Sequence, residues 1–168
     1  MPGTRCGILA DFRTMPTLRP SRPQDGARVI DIWRRAVDAT HHFLADADRQ
    51  ALDAEVSALL PQAPLLLAVD AADVPLAFMW VVDGHMEALF VDPLHHGRGL
   101  GRRLVQQALR EHPGLGTDVN AQNPSAMAFY TRLGFVETGR SALDGQGRPY
   151  PLVHLRHAGA TAMPEQAA

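Results

Sequence analysis

Apolar side chains return at Val29, Trp33, Ala36 and Val37, which places them on one face of a helix. Ser21-Arg22-Pro23-Gln24, just ahead, has capping-box spacing and predicts where that helix starts. A second amphipathic stretch runs from about Ala47 to Leu60 and stops before Pro61. The polar-aromatic run Thr40-His41-His42-Phe43-Leu44 breaks the pattern between the two. Before the first helix, Thr17 to Ser21 reads as a strand. After the second, Leu65–Val69 is a short unbroken apolar run that also reads as a strand. Asp70 to Asp73 is a turn, Leu76 to Val82 the next strand, and Asp83-Gly84 a hairpin signal leading into a strand over Met86–Val91. Leu100, Leu104, Val105, Ala108 and Leu109 form the stripe of a third helix, ended by Pro113 and Gly114. Thr117–Asn120 is a short strand. Ala126, Tyr130 and Leu133 share a face of a fourth helix that Gly134 terminates. Phe135–Thr138 and Leu152–Arg156 are the last strands, joined through a turn at Asp144-Gly145-Gln146-Gly147.

This order predicts an α/β fold in one domain, with a central mixed sheet and helices on both of its faces. Residues 16–157 would form the domain. Residues 1–15 lack periodicity and read as a disordered extension, and 158–168, small and polar, as a flexible tail. Composition narrows the setting. The net charge of −2 gives no electrostatic case for nucleic acid or an anionic membrane. No apolar run approaches the roughly 18 residues of a membrane span. The single Cys6 cannot form an internal disulfide, which predicts a reducing, cytoplasmic setting. All 16 basic residues are arginine, so the chain has no side-chain lysine.

The chemistry concentrates where the Met86–Val91 strand stops: Val91-Asp92-Pro93-Leu94-His95-His96-Gly97-Arg98-Gly99-Leu100-Gly101-Arg102. A glycine-bearing loop that opens a helix aims unpaired backbone N–H groups at one point, and the helix end adds partial positive charge. Such a bend cradles phosphate. A Walker loop is excluded because it needs lysine. A dinucleotide fingerprint is excluded because Gly97, Gly99 and Gly101 are spaced G-x-G-x-G, one residue short.

The run resembles the CoA-binding loop of the GNAT N-acetyltransferases, V-x-P followed by R/Q-x-x-G-x-G/A. Val91 and Pro93 fill the first part, Gly99 and Gly101 the second, and His96 stands where the family has Arg or Gln. Downstream, Asn123 to Phe135 resembles the family's N-x-x-A-x-x-F-Y-x-x-L-G-F segment. Within the family the chain looks most similar to the bacterial YjaB-type acetyltransferases. It shares Ala39-Thr40-His41, the strand His85 to Phe90 and the ending Arg148-Pro149-Tyr150-Pro151-Leu152. The resemblance implies a mostly antiparallel twisted sheet splayed between the strands ending near Val91 and Val119, with the pantetheine arm of acetyl-CoA in the opening.

Acetyl transfer from a thioester to an amine sets four tasks. The N–H groups of Gly97, Arg98, Gly99, Leu100, Gly101 and Arg102 would anchor the diphosphate, with His96 and the Arg98 and Arg102 side chains beside them. A backbone N–H among Leu89, Phe90 and Val91, freed by the splay, would polarise the acetyl carbonyl. The resemblance makes Tyr130 the general acid to the CoA sulfur. Asn123 would cap its helix or bind the pantetheine amide. For the base that takes the amine proton, Glu87 stands first, then His41, then His85, with Asp118 a fourth option. None of the 8 histidines shows metal-ligand spacing, so no metal is expected. The acceptor expected is a small-molecule amine or a peptide or protein amine, lysine included, with the chain a monomer or homodimer. A catalytically silent acyl-CoA sensor or interaction module is the alternative reading.

Overall fold

The computed structural model describes residues 15–159. The expected extension before residue 15 and the tail from residue 160 lie outside the described residues. Chain order is β1 (Thr17–Pro20), α1 (Gly26–Thr40), α2 (Asp46–Leu59), β2 (Leu66–Val69), β3 (Pro75–Val82), β4 (His85–Val91), α3 (Leu100–Glu111), β5 (Gly116–Asn120), α4 (Pro124–Arg132), β6 (Phe135–Ser141) and β7 (Leu152–His157). One seven-stranded sheet runs β1-β2-β3-β4-β5-β7-β6. Its neighbours pair antiparallel except β4 and β5, which are parallel.

Helices cover both faces, as the element order predicts. On one face the α1 stripe, Val29, Ile32, Trp33 and Val37, packs on Leu67, Val69 and Phe78. On the other, Leu100, Leu104, Val105 and Ala108 of α3 and Tyr130 of α4 pack on Ala68, Ala77, Met79, Met86 and Val119. Each large aliphatic side chain so buried contributes about 1.5–3 kcal/mol. Helix α2 buries no residue fully and only leans Leu52 and Val56 on the first cluster.

Three local expectations are corrected. Ser21 does not cap the first helical turn: its hydroxyl accepts from Leu65 N (3.1 Å) and donates to Ala63 O (3.3 Å), tying β1 to the start of β2. The Arg22 N–H donates instead to Asp25 Oδ2 at 2.8 Å. Strand β6 runs on to Ser141 because it pairs with β7 along its whole length, although its outward residues give no apolar signal. Strand β4 also breaks simple alternation. Trp80 faces Ala88 and Val81 faces Met86, so Glu87 is an extra, unpaired residue in a β-bulge.

The bulge lies beside the feature that organises the site. Strands β4 and β5 share only two register pairs, His85↔Gly116 and Met86↔Thr117, and then diverge. The sheet therefore opens where the family resemblance implies.

Candidate active site

The opening continues into a cleft of about 530 Å³. One wall is Leu89, Phe90 and Val91 of β4. Another is the 95–102 bend. Asn123, Ser125, Phe129 and Tyr130 form the α4 side, and Ala36, Thr40 and His41 close the cleft at the end of α1.

Strand β4 supplies donors to the cleft by parity. Asp92 N donates to Leu76 O at 2.9 Å, so Phe90, in step with it, also points its N–H at β3. In an antiparallel ladder the residues between point the other way. The N–H groups of Leu89 and Val91 therefore face the gap, where β5 has already departed.

The bend after β4 offers a second set of donors. Asp92 is 1% exposed, and its carboxylate accepts from Leu94 N at 3.0 Å, starting a tight turn over Pro93–His95. Arg28 of α1 pairs with it at 2.5 Å and Arg35 lies at 3.7 Å. Burial alone would raise this carboxyl, but Arg28, the Leu94 N–H and Arg35 outweigh it and hold it below the usual carboxylate range. One buried charge thus fastens the loop to α1. Beyond the turn, Gly97 and Gly99 both sit at φ 75°, where a Cβ would meet nothing but the backbone would be strained. Gly101 serves differently: a Cβ there would stand 3.3 Å from the Phe129 ring and 3.6 Å from Val91, so its lack of a side chain lets α3 approach β4 and α4. None of the six amides from Gly97 to Arg102 has an acceptor among the described residues. They form an anion-binding bend at a helix N-terminus. His96 Nε2 contacts Val91 O at 3.3 Å, tying the loop to the strand end.

Helix α4 brings Tyr130 in from the opposite side. Its ring meets Phe129 and Phe135 edge-on, with centroids 5.0 and 5.3 Å away. Its phenol engages Thr117, the last β5 residue paired with β4. Burial pushes the phenol above its ordinary range, so it stays protonated at any working pH. Asn123 caps α4, its side chain accepting from Ala126 N at 3.1 Å while the residue lines the cleft.

These features can be set beside known proteins. Residues 62–137 match the acetyltransferase (GNAT) domain family. The peptidyl-lysine N-acetyltransferase YjaB of Salmonella typhimurium is 50% identical over 141 residues, 84% of this chain and 97% of that protein. The chain belongs to the GNAT acetyltransferase family. YjaB of Escherichia coli is 47% identical, and its apo solution structure superposes with a TM-score of 0.82 over 86% of this chain and 98% of that one. The PaiA N-acetyltransferase of Thermoplasma acidophilum, solved with coenzyme A, shares the fold at 15% identity, with a TM-score of 0.64 over 82% of this chain and 98% of that one.

The fold of this GNAT acetyltransferase gathers most of the expected residues into one cleft. Leu89, Phe90, Val91, His96, Gly97, Gly99, Leu100, Gly101, Arg102, Asn123, Tyr130 and His41 all line it. Two do not. Arg98 is exposed at the bend, and Glu87 is exposed on the bulge. His85 and Asp118 also lie outside the lining. Asp118 joins His154 (2.5 Å) and His85 (3.5 Å), and His154 reaches the Ser141 hydroxyl at 2.6 Å, in a row across β4, β5, β7 and β6. His41 sits in the cleft wall, with Phe43 and Phe90 5.3 and 6.5 Å from its ring centroid. Burial lowers its pKa and nearby His42 lowers it further, so the imidazole is neutral near pH 7.

Sequence reasoning did not single out Asp92, His95 or Phe129. Asp92-Pro93 carried a turn signal, but Arg28 is a partner from another element. His95 lines the cleft, and its buried Nδ1 has no hydrogen-bond partner among the described residues.

Proposed function

We propose that this acetyltransferase moves the acetyl group of acetyl-CoA to a primary amine by direct attack in a ternary complex, and that a peptide or protein lysine is the first acceptor to test. Acetyl-CoA is the cosubstrate. The observation that carries the reading is the pairing of two free donor sets: six amides at the 97–102 bend, and the Leu89 and Val91 N–H groups along the splay. The first suits a diphosphate. The second suits the carbonyls of a pantetheine arm and the developing oxyanion of its thioester, where one donor contributes roughly 3 kcal/mol in the transition state.

The remaining roles follow from position. The acceptor nitrogen attacks the acetyl carbon and the carbon–sulfur bond breaks. Tyr130 gives its phenolic proton to the departing sulfur and regains one from solvent, to which the newly acylated nitrogen sheds its second proton. Asn123 orients the arm. His41 takes the ammonium proton beforehand, since an alkylammonium with a pKa of about 10.4 is mostly protonated at neutral pH. His41 is preferred to Glu87, His85 and Asp118 because it alone of the four lines the cleft. The relatives named as peptidyl-lysine N-acetyltransferases support lysine as acceptor. A reducing cytoplasmic setting fits the lone Cys6. No helix among the described residues is long and apolar enough to cross a membrane.

The test is thiol release from acetyl-CoA against a panel of lysine peptides and small amines, with mass analysis of the products. Acetylated amine is expected to form in step with free CoA. Tight CoA binding with no turnover on the whole panel would instead identify an acyl-CoA sensor.

A further inference from the structure

We propose that Thr40 is a positioning residue: its hydroxyl fixes His41 as the Nδ1–H tautomer and thereby presents a bare Nε2 to the acceptor amine. The inference deepens the acetyl-transfer reading above and rests on it.

A threonine hydroxyl carries one hydrogen and two acceptor lone pairs. Thr40 Oγ1 donates to Ala36 O, one turn back along α1, at 2.7 Å. The same oxygen lies 2.7 Å from His41 Nδ1. With its hydrogen committed to the carbonyl, it can only accept from the ring, so Nδ1 carries the proton. The opposite tautomer would set a lone pair against a lone pair, or pull the hydroxyl off Ala36 O. Only the Nδ1–H form keeps both contacts as hydrogen bonds.

Nε2, the other nitrogen, has no hydrogen-bond partner among the described residues and is not sealed from solvent. The residue itself lines the cleft that holds Tyr130. A neutral imidazole with a free Nε2 lone pair is a base ready for use. Its neighbours do not compete for the role. Phe43 and Phe90 pack the ring without charge, and His42 is the titratable neighbour that acts on it. The other ionisable groups of the cleft wall are His95, His96 and Arg102 at the bend, and Tyr130 and Arg132 on α4. No carboxylate pairs with His41 among the described residues, so the hydroxyl does the orienting that an aspartate performs beside many catalytic histidines.

The experiment reads the tautomer directly and then its consequence. Nitrogen-15 NMR of the imidazole in the full chain, recorded above the His41 titration, should show a protonated Nδ1 and an unprotonated Nε2. In Thr40→Val both nitrogens should move toward a tautomer mixture. That variant should lose about tenfold in kcat/KM for the amine, part of the ~10²–10⁴ a general base supplies, with CoA affinity unchanged. Thr40→Ser should restore spectrum and rate together. A wild-type Nε2–H tautomer overturns the proposal. So does a Thr40→Val enzyme with unaltered rate, or one whose lost rate Thr40→Ser fails to recover. A wild-type protein that binds CoA and shows the Nδ1–H form, yet turns over no amine, counts against the acetyl-transfer reading instead, because the tautomer is observed without substrate.

Discussion

Tyr130→Phe separates chemistry from packing. The substitution keeps the ring and its edge-on contacts with Phe129 and Phe135 and removes only the hydroxyl. Thr117 keeps its other bond, to Met86 O at 3.0 Å, so no buried partner is stranded. The stability cost should be about 1 kcal/mol or less. The catalytic cost should be larger. Burial raises the phenol, which makes it a weaker acid than free tyrosine, while an ordinary thiol has a pKa of about 8.5. Proton transfer to sulfur would be uphill in water. In the cleft the departing thiolate is desolvated by the same walls, which raises its basicity too and brings the two closer. A general acid so placed supplies about 10²-fold, or about 2.7 kcal/mol of the barrier. Steady-state thiol release should therefore show kcat reduced about a hundredfold, with CoA affinity by calorimetry unchanged. Melting should shift by no more than the few degrees that ~1 kcal/mol produces. A kcat within about threefold of wild type would remove Tyr130 from the mechanism (a threefold change is only ~0.65 kcal/mol). A large rate loss accompanied by collapse of the melting temperature would assign the residue to packing.

Gly99→Ala places a side chain at φ 75° with nothing within 4 Å of its Cβ, so only backbone strain acts. About 1–2 kcal/mol of strain should appear as weaker CoA binding, about tenfold by calorimetry. Asp92→Asn removes the 1% exposed carboxylate that Arg28 shares with the loop and leaves the guanidinium only Asp31 as a carboxylate partner, at 2.6 Å. Because Arg28 itself reaches solvent, the loss in denaturant unfolding should be about 2 kcal/mol, below the 3–5 of a fully buried pair, and CoA binding should weaken with it. His41 has a folded-state pKa below its unfolded value, so the unfolded chain binds more protons between the two. Its contribution to stability should be complete above about pH 6.5 and be lost as pH falls from there toward the lower value. A melting curve of His41→Gln against pH should flatten across that window.

Elements were legible where periodicity carries energy. The α1 stripe through Val29, Trp33 and Val37, and the α3 stripe through Leu100, Leu104 and Val105, are buried as their spacing predicts. The splay was readable only through motif resemblance, since nothing in the spacing of Met86 to Val91 says that its neighbour leaves after two pairs. Glu87 lies on a bulge, exposed and outside the cleft lining, and no pattern in the sequence reveals that break in the pleat. Asp92 was overlooked because Arg28 comes from a distant helix. The same limit hid the ties between α2 and the loop that precedes β7. Tyr150 donates to Asp48 and accepts from Ala45 N at 3.1 Å, and Arg148 pairs with Glu55 at 2.9 Å, contacts that only the folded chain brings together.

An open ladder has an implication for association. A strand with outward amides and no neighbour normally sits at the rim of a sheet, where it can recruit another polypeptide. Here the Leu89–Val91 stretch is such a rim moved indoors, roofed by α1 on one side and by α3 and α4 on the other. A slender acyl arm can reach those amides through the cleft. The protein thus carries unpaired strand amides inside a roofed cleft rather than along an outer edge of its sheet.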